Sequence, residues 1–381
     1  MIDLDANATT RPTPAVVEAV VRGLETAWHN PSSQHRAGQG ARAAIELARA
    51  DLARLIGAPP GRLTLTSSGT ESIHLAIRGA LALTGRRAIV TSDLEHAAIR
   101  DLAPALEREG VEVRRLGADR LGRVDVSQGE GLIDEGVALV SVQWVNNETG
   151  VIQPIGAIGS MCRERGALFH TDAVQRVGKL PVDVSSPEAP AIDLLSFSAH
   201  KFHGPKGVGA LYTRPGITLP PVTPGAQELG RRGGTENTPG ILGAGAAARE
   251  ALAFLEREDP IAPLAAMRDR LESSLLERLP GARVNGDTAP GARVWNTTNI
   301  TIPGVESERL LLALSERGVC ASAGSACSSG SIEPSPVLLA MGLSESEVSC
   351  SIRLSLSRLC VGEEIDRAIE VLAECAGRIA G

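Results

Sequence analysis

The sequence predicts an α/β protein with a mostly parallel sheet, followed by a smaller α+β unit. Two observations support this prediction. Short, β-branched apolar segments alternate with helical segments through the first part of the chain, which favours a parallel sheet covered on both faces. After the proline-rich stretch 216–224 the pattern changes to long helices with a few separate strands. We therefore expect a large domain, 14–257, and a small domain formed by 1–13 and 258–381.

In the large domain, a helical pattern starts at Pro14, and a second amphipathic helix ends near Ile56 before a Gly/Pro cluster. Helices are also expected from Gly69 to about Leu83 and from Glu95. Strands are predicted at Leu63–Thr66, Ala88–Thr91, Val111–Leu116, Val137–Val142, Ala167–Thr171 and Ala191–Phe197. Ligands of such sheets bind at the carboxyl ends of the strands.

The small domain is predicted from a different pattern of helices and strands. Helices are expected at 236–257, 262–279 and 305–317, and at the C-terminus. Strands are expected at Val294–Ile302 and Ser351–Leu356. A Gly/Ser-rich segment, 318–333, lies between them and is expected to be a mobile loop.

Composition narrows the class of protein. The chain has 381 residues, 43% hydrophobic and 22% charged, which is typical of a globular protein. A formal charge of −7 disfavours broad binding to nucleic acid or anionic membranes. The N-terminus does not resemble a signal peptide and no apolar run is long enough for a membrane span. Six scattered cysteines suit reduced thiols rather than a zinc site, so we expect a cytoplasmic enzyme without a metal.

Lys201 is the residue around which the functional prediction is built. A buried strand ends in Ser198-Ala-His200-Lys201, where desolvation and the neighbouring imidazole can lower the pKa of an amine. A neutral amine can form a Schiff base with an aldehyde cofactor. A single lysine at a strand end is usually a surface residue, and the prediction therefore depends on the residues that accompany it.

Those residues follow other strands of the same predicted sheet and together favour pyridoxal phosphate. Gly69 and Thr70 open a helix, where backbone N–H groups and the helix dipole attract a phosphate. Asp172 can pair with a protonated pyridine nitrogen and keep the ring able to accept electrons. His96 can stack on the ring.

Two neutral side chains complete the predicted cofactor site. Asn147 and Gln175 can form hydrogen bonds with the ring oxygen of the cofactor. Each of the predicted residues also has an ordinary structural interpretation, such as a helix cap or a buried histidine. Their shared position after the strands of one sheet is what favours a common site.

The motifs of the chain resemble those of cysteine desulfurases, which have the fold type I of pyridoxal-phosphate enzymes and are related to class-V aminotransferases. The matching stretches are Asp5-Ala-Asn-Ala-Thr-Thr10, Asn30-Pro-Ser-Ser-Gln-His35, Thr66-Ser-Ser-Gly-Thr-Glu-Ser72, Glu95-His96, Val145-Asn-Asn-Glu-Thr-Gly150, His170-Thr-Asp-Ala-Val-Gln175, Ser198-Ala-His-Lys201, Arg232-Gly-Gly-Thr-Glu-Asn237 and Ser325-Ala-Cys-Ser-Ser329. The chain departs from the family pattern at Ser68, His74 and Leu229, which concerns loop geometry rather than the central chemistry.

The resemblance assigns roles to individual residues. It implies Lys201 as the Schiff-base lysine, Asp172 as the partner of the ring nitrogen and His96 as the stacking and catalytic histidine. It also implies a homodimer. The phosphate contacts that it implies are Thr70, Ser198, His200 and, from the partner subunit, Thr235.

Cys327 is predicted to carry the sulfur. It lies in a run of small residues, Ala321–Gly330, in which a thiol is expected to be exposed and mobile. An enzyme thiolate can attack the sulfur of the substrate, and a flexible loop can then take the persulfide to an acceptor. Of the other cysteines, Cys320 is ambiguous, and the rest lie in amphipathic elements and are interpreted as packing residues.

Arg353 is the predicted binding residue for the substrate carboxylate, together with Asn147. Its side chain alternates with Ile352 and Leu354 along a strand. A guanidinium can bind a carboxylate through two parallel hydrogen bonds, and the family places such an arginine here. The alternative is a solvated arginine on a strand.

The predicted reaction converts L-cysteine into L-alanine, with the sulfur passing to Cys327 and then to an acceptor protein. Three alternatives stay open: a selenocysteine lyase or cysteine sulfinate desulfinase, an ordinary aminotransferase, and a docking platform for sulfur-transfer partners. The acceptor can belong to iron–sulfur assembly, tRNA thiolation or DNA phosphorothioation, because similar desulfurases serve all three.

Overall fold

The computed structural model describes residues 1–186, 191–323 and 334–380. The strands are β1 (Ile2–Asp3), β2 (Leu63–Thr66), β3 (Ala88–Ser92), β4 (Glu112–Leu116), β5 (Val137–Ser141), β6 (Leu168–Asp172), β7 (Leu194–Ser198), β8 (Gly209–Thr213), β9 (Arg283–Val284), β10 (Thr297–Thr301), β11 (Val319–Cys320), β12 (Ser322–Ala323) and β13 (Ser351–Ser355).

The helices connect these strands and cover the sheets. They are α1 (Pro14–Thr26), α2 (Arg36–Leu55), α3 (Gly69–Thr84), α4 (Ala97–Arg100), α5 (Ala103–Arg108), α6 (Gly129–Leu132), α7 (Ile155–Arg165), α8 (Thr238–Leu255), α9 (Ala262–Arg278), α10 (Ser307–Glu316), α11 (Pro336–Ala340), α12 (Glu345–Ser349) and α13 (Gly362–Ala380). Within the described ranges no helix is both long and apolar enough to cross a membrane.

A seven-stranded sheet forms the centre of the protein. Its strand order is β2-β8-β7-β6-β5-β3-β4. Strand β8 runs antiparallel to both of its neighbours, and the other described pairs of this sheet are parallel. The predicted α/β class with a mostly parallel sheet is therefore confirmed.

Strand β8 was not predicted, because its segment was interpreted only as a run of glycines unlike a phosphate loop. The structure gives Gly209 a packing role. A Cβ atom at this position would lie 2.4 Å from the backbone carbon of Ser68, so glycine lets β8 pair closely with the end of β2. The strand predicted to start at Ala191 starts at Leu194.

Apolar side chains cover both faces of the central sheet. One core contains Val16 of α1, Ile45 of α2 and Ile241 of α8, packed with residues of the strands. The core on the other face contains Ile77 of α3 and Leu106 of α5. Every residue of β3, β5, β7 and β8 is buried, which explains why these strands are continuously apolar or small rather than alternating.

A second, antiparallel sheet has the order β12-β13-β10-β9. The N-terminal segment joins this part of the chain, since β1 pairs in parallel with β11 and Asp5 bridges to Ser355. Helices α9, α10 and α13 pack on the same apolar core through Leu271, Leu310 and Leu372. The predicted domain limits, with residues 1–13 added to 258–381, stay a prediction.

Candidate active site

A cavity of about 220 Å³ lies where β3, β5, β6 and β7 end and α3 begins. Parallel strands place their carboxyl ends at one edge of the sheet, so polar residues that are far apart in sequence meet there. The cavity brings together nine of the predicted residues: Gly69, Thr70, His96, Asn147, Asp172, Gln175, Ser198, His200 and Lys201.

Two predicted residues are placed elsewhere. Thr235 is exposed and Arg353 is buried, and neither of them lines this cavity. Cys327 and most of the predicted loop 318–333 lie outside the described residues. Of the remaining cysteines, Cys162 and Cys375 are buried and Cys320 is partly buried.

Lys201 ends a short 3₁₀ turn that directly follows β7. Its Nζ donates hydrogen bonds to the backbone carbonyl oxygens of Asn7, at 2.5 Å, and Ala8, at 2.8 Å. The amine is therefore held at the wall of the cavity by the N-terminal segment of the chain. This position suits an amine that must reach a bound ligand without rotating freely.

Asp172 is the last residue of β6 and is only 6% exposed. Its Oδ1 accepts a hydrogen bond of 2.9 Å from the backbone N–H of Val174. Burial raises the pKa of this carboxyl to about 6, while the Val174 N–H and the charge of Lys201 act in the opposite direction. A cationic group that pairs with Asp172 would favour its ionised form.

His96 caps the start of α4, where its Nδ1 accepts a hydrogen bond of 3.1 Å from the backbone N–H of Ala98. Burial lowers the pKa of His96 to about 4, and the charge of Lys201 lowers it further. The ring is therefore neutral at pH 7, with its proton on Nε2. A neutral imidazole on this wall can pack flat against an aromatic ligand.

Glu95, directly before His96, is a buried acid that sequence reasoning quoted only as part of a motif. Its carboxyl accepts hydrogen bonds from the Ser92 hydroxyl, at 2.5 Å, and from the backbone N–H of Gln143, at 3.1 Å. Burial raises its pKa to about 8 despite these bonds, and the charge of Asp172 adds to the effect. Glu95 ties the turn that carries His96 to the end of β5.

Gly69 and Thr70 form the first turn of α3, and Ser68 caps it by accepting a hydrogen bond from the backbone N–H of Glu71 at 3.1 Å. A Cβ atom at Gly69 would lie 2.8 Å from a methyl group of Val174. Only glycine therefore lets the start of α3 approach the segment after β6. The first turn of a helix has N–H groups without helical partners, so this end of the cavity suits an anion.

Ser198 and His200 occupy the turn between β7 and Lys201. The Ser198 hydroxyl donates to the carbonyl oxygen of Val208 at 3.3 Å, and the Nδ1 of His200 lies 3.2 Å from the hydroxyl of Thr9. Burial and the charge of Lys201 lower the pKa of His200 to about 3. Both side chains are therefore neutral hydrogen-bonding groups beside the start of α3.

The amides of Asn147 and Gln175 lie on the wall that faces the N-terminal segment. Gln175 donates from Nε2 to the carbonyl oxygen of Asn7 at 3.0 Å. The Oδ1 of Asn147 is buried and has no hydrogen-bond partner in the part of the chain that the structure describes. Because a buried polar atom without a partner is costly, this amide is a group that a bound ligand can complete.

Arg353 lies beneath this wall, on β13. It forms an ion pair of 2.7 Å with Asp5 and donates a hydrogen bond of 3.1 Å to the carbonyl oxygen of Asn147. Its Nε is buried without a partner among the described residues. The sequence did not predict the pairing with Asp5, and the predicted role in binding the substrate carboxylate stays a prediction.

These residues fit pyridoxal phosphate. The start of α3, with the gap that Gly69 leaves, suits its phosphate. Asp172 suits its ring nitrogen, Gln175 and Asn147 its ring oxygen, and Lys201 its aldehyde carbon. Among the described residues, no group of three or more His, Cys, Asp or Glu side chains is arranged to hold a metal ion.

Comparison with known proteins agrees with this geometry. A family model described as aminotransferase class-V matches residues 2–368. The chain belongs to the class-V aminotransferase family. Its cofactor is pyridoxal 5'-phosphate. A protein of Trichormus azollae named cysteine desulfurase is 45% identical over 381 residues, which is the whole of this chain and 94% of that protein.

Solved structures give the same family. A structure titled NifS-like protein is 33% identical, with a TM-score of 0.89, and 98% of each chain is covered. Another, titled SspA in complex with cysteine, is 34% identical with a TM-score of 0.81 and covers 95% of this chain and 100% of that one. The expected resemblance to cysteine desulfurases is therefore confirmed.

Sequence reasoning gave no role to two residues that the structure places around the site. Asn7 contacts Lys201, Gln175 and Asn147 through its backbone and side chain. Lys179 is buried beneath Gln175. Asn7 was visible in the Asp5–Thr10 motif, and Lys179 follows Gln175 by four positions in a turn, but neither position is predictable without the tertiary contacts.

Proposed function

We propose that this member of the family is a cysteine desulfurase that converts L-cysteine into L-alanine and passes the sulfur to Cys327 as a persulfide. One observation carries the assignment of residues. Lys201, Asp172 and His96 follow three different strands and meet in one cavity of about 220 Å³. The 45% identity to a protein named cysteine desulfurase supports the choice of activity within the family.

When bound, pyridoxal phosphate supplies an electron-withdrawing ring that makes the Cα proton of an amino acid removable. The Lys201 amine would bind the aldehyde carbon before substrate arrives and, once replaced there by the substrate amine, would move this proton, because it is held at the cavity wall. Asp172 would keep the ring nitrogen protonated. His96 would stack on the ring as a neutral imidazole, and Gln175 and Asn147 would hold the ring oxygen.

The phosphate would be held by residues from two copies of the chain. Gly69, Thr70, Ser198 and His200 would contact it from one subunit, and Thr235 from the partner of a homodimer. Thr235 is exposed and lies outside the cavity of its own chain, which is compatible with such a role. Exposed apolar side chains at Trp28 (67%) and Leu229 (72%) also favour a covered surface.

The sulfur step is proposed at Cys327. Its thiolate attacks the sulfur of the substrate, so that a sulfur–sulfur bond forms while the bond between that sulfur and Cβ breaks. The electron pair left on carbon takes up a proton, which yields alanine. Arg353, with Asn147, is proposed to bind the substrate carboxylate.

The experiment is to measure alanine release from L-cysteine in the presence of a thiol reductant. Wild type is compared with Cys327→Ala, and Lys201→Ala is the control that lacks the cofactor lysine. Release by wild type alone is expected. Equal release by wild type and Cys327→Ala would overturn the persulfide role and keep the cofactor chemistry.

The alternatives give different outcomes in the same assay. Faster turnover of selenocysteine or cysteine sulfinate would favour a lyase or desulfinase. No alanine, with conversion of a keto acid, would favour an aminotransferase. Sulfur transfer that continues in Lys201→Ala would favour a docking platform.

We further propose a cytoplasmic homodimer with the domains 14–257 and 1–13 with 258–381. Its acceptor protein would belong to iron–sulfur assembly, tRNA thiolation or DNA phosphorothioation, and a pull-down with Cys327 in the persulfide form would separate these. Direct binding of nucleic acid or membrane is not part of the proposal.

A further inference from the structure

Lys179 is a buried lysine outside the cavity, with only 4% of its surface exposed. Its Nζ donates to the Oδ1 of Asn7 at 2.7 Å and to the Oε1 of Gln175 at 2.5 Å. None of the ion pairs formed by the described residues includes Lys179. A lysine is rarely buried without a carboxylate partner, so this position calls for a specific reason.

The two contacts of Lys179 fix the direction of two amides. An amine donates only to the oxygen of an amide, because the amide nitrogen is itself a donor. The oxygens of Gln175 and Asn7 therefore face Lys179 and their NH₂ groups face away from it. Gln175 uses one N–H for the carbonyl oxygen of Asn7, at 3.0 Å, and its second N–H is left for the cavity that it lines.

We propose that Lys179 is a positioning residue that makes Gln175 present an N–H donor, rather than its oxygen, to the ring oxygen of the cofactor. The proposal rests on the proposed function, since it takes Gln175 as the neighbour of that ring oxygen. Loss of Lys179 removes one of the two described hydrogen bonds that oppose a 180° rotation of the Gln175 amide, the other being the bond to the carbonyl oxygen of Asn7. The rotated amide therefore becomes more populated. Its oxygen would then face an electron-rich ring oxygen, and two acceptors would oppose each other.

The same network extends to the catalytic lysine. The carbonyl oxygen of Asn7 accepts from Gln175 and from the Nζ of Lys201. The side chain of Asn7 donates to the carbonyl oxygen of Asn147 at 3.1 Å. Burial, with the charges of Lys201 and Arg353, lowers the pKa of Lys179 well below its usual value. Its Nζ still supplies one N–H to each of the two amide oxygens that it contacts.

The test compares Lys179→Met with wild type after loading with pyridoxal phosphate. Methionine has a similar length but donates no hydrogen bond. We expect the pH midpoint of the visible absorption band of the cofactor to rise by about one unit, because the ring oxygen keeps its proton to a higher pH. The dissociation constant of the cofactor should increase about tenfold.

A double-variant cycle separates positioning from general damage. In a Gln175→Met background no amide is left to orient, so adding Lys179→Met should cause no further shift of the band. Trp295→Phe is the matched packing control, because the indole N–H of Trp295 donates to the backbone carbonyl of Lys179 at 2.8 Å without touching either amide. It should leave the midpoint unchanged.

Two outcomes would overturn the proposal. One is that Lys179→Met has the same pH midpoint as wild type. The other is that Lys179→Met shifts the midpoint by the same amount in the wild-type and in the Gln175→Met background. If Lys179→Met does not fold, Lys179→Gln takes its place, since it keeps one donor group and should give a smaller shift with the same cycle. Failure of wild type to bind the cofactor at all would instead contradict the proposed function.

Discussion

Arg353 and Asp5 form an ion pair of 2.7 Å although they are separated by almost the whole length of the chain. Asp5 belongs to the N-terminal segment, and Arg353 lies on the central part of β13. The same guanidinium donates to the carbonyl oxygen of Asn147, which brings the pair to the edge of the cavity. The N-terminal segment therefore links the second sheet to the site.

Arg353→Lys should raise the KM for L-cysteine about tenfold and change kcat less. Lysine keeps the charge but loses the planar pair of donors that grips a carboxylate. Steady-state kinetics of alanine release would measure this. Asp5→Asn is the companion variant, and it should mainly lower the free energy of unfolding, by on the order of 1–3 kcal/mol. An unchanged KM in Arg353→Lys would limit Arg353 to a structural role.

Lys201→Ala should reduce alanine release about 10²- to 10⁴-fold, the range typical of losing a group that transfers a proton. Borohydride treatment of the loaded protein should attach the cofactor covalently to wild type and not to this variant. Lys206→Ala is the control, because Lys206 is an exposed lysine five positions further along. Covalent labelling at another lysine would contradict the assignment.

Cofactor binding should weaken as the pH falls below about 6. Burial raises the pKa of Asp172 from 3.8 to about 6, so below that value its carboxyl is neutral and cannot pair with a cationic ring nitrogen. In Asp172→Asn this step should disappear, and binding at pH 8 should be weaker than in wild type. The measurement is the ratio of the cofactor dissociation constant of Asp172→Asn to that of wild type, followed from pH 5 to pH 8. Titration of the free cofactor affects both proteins equally and cancels in this ratio.

Glu95→Gln should make the cofactor-free protein less sensitive to alkaline pH. The pKa of Glu95 is raised from 4.5 to about 8, so the folded protein binds a proton there that the unfolded chain has released. The free energy of unfolding therefore falls as the pH rises from about 4.5 through about 8, and about 1.4 kcal/mol of this loss lies between pH 7 and 9. Urea unfolding at both values would show this loss in wild type. An equal loss in the variant would contradict it.

Asn7→Ala should lower the free energy of unfolding by on the order of 3 kcal/mol. The substitution leaves the buried Nζ of Lys179 and the hydroxyl of Thr297 without the side chain that they contact at 2.7 and 2.9 Å. Chemical denaturation would measure the change. Asn30→Ala is the control, because the exposed amide of Asn30 accepts a local hydrogen bond from the backbone N–H of Ser32 and has no other side-chain hydrogen bond among the described residues.

Much of the site could be predicted because of how a parallel sheet is built. Lys201, Asp172 and His96 each follow a recognisable strand, and the carboxyl ends of parallel strands share one edge. Their meeting in one cavity therefore followed from local patterns alone. The motifs indicated the family because each is a short, local pattern.

Other features depend on contacts between residues that are far apart in sequence. Strand β8 begins with Gly209, and the need for glycine there is visible only from its close approach to Ser68. The carbonyl oxygen of Asn7 accepts a hydrogen bond from Lys201, which lies 194 positions further along the chain. The local sequence around Asn7 does not predict this contact. Arg353 alternates with apolar neighbours as predicted, yet its pairing with Asp5 depends on how Asp5 itself bridges to the end of β13.

The sequence by itself determined the α/β class, the cofactor and the family, because these depend on periodicity and on short motifs. The tertiary structure decided how the residues of the candidate site are held. The amide directions of Gln175 and Asn7 follow from the buried Nζ of Lys179. The raised pKa of Asp172 follows from desolvation. Both are properties of packing, which exists only once distant segments have come together.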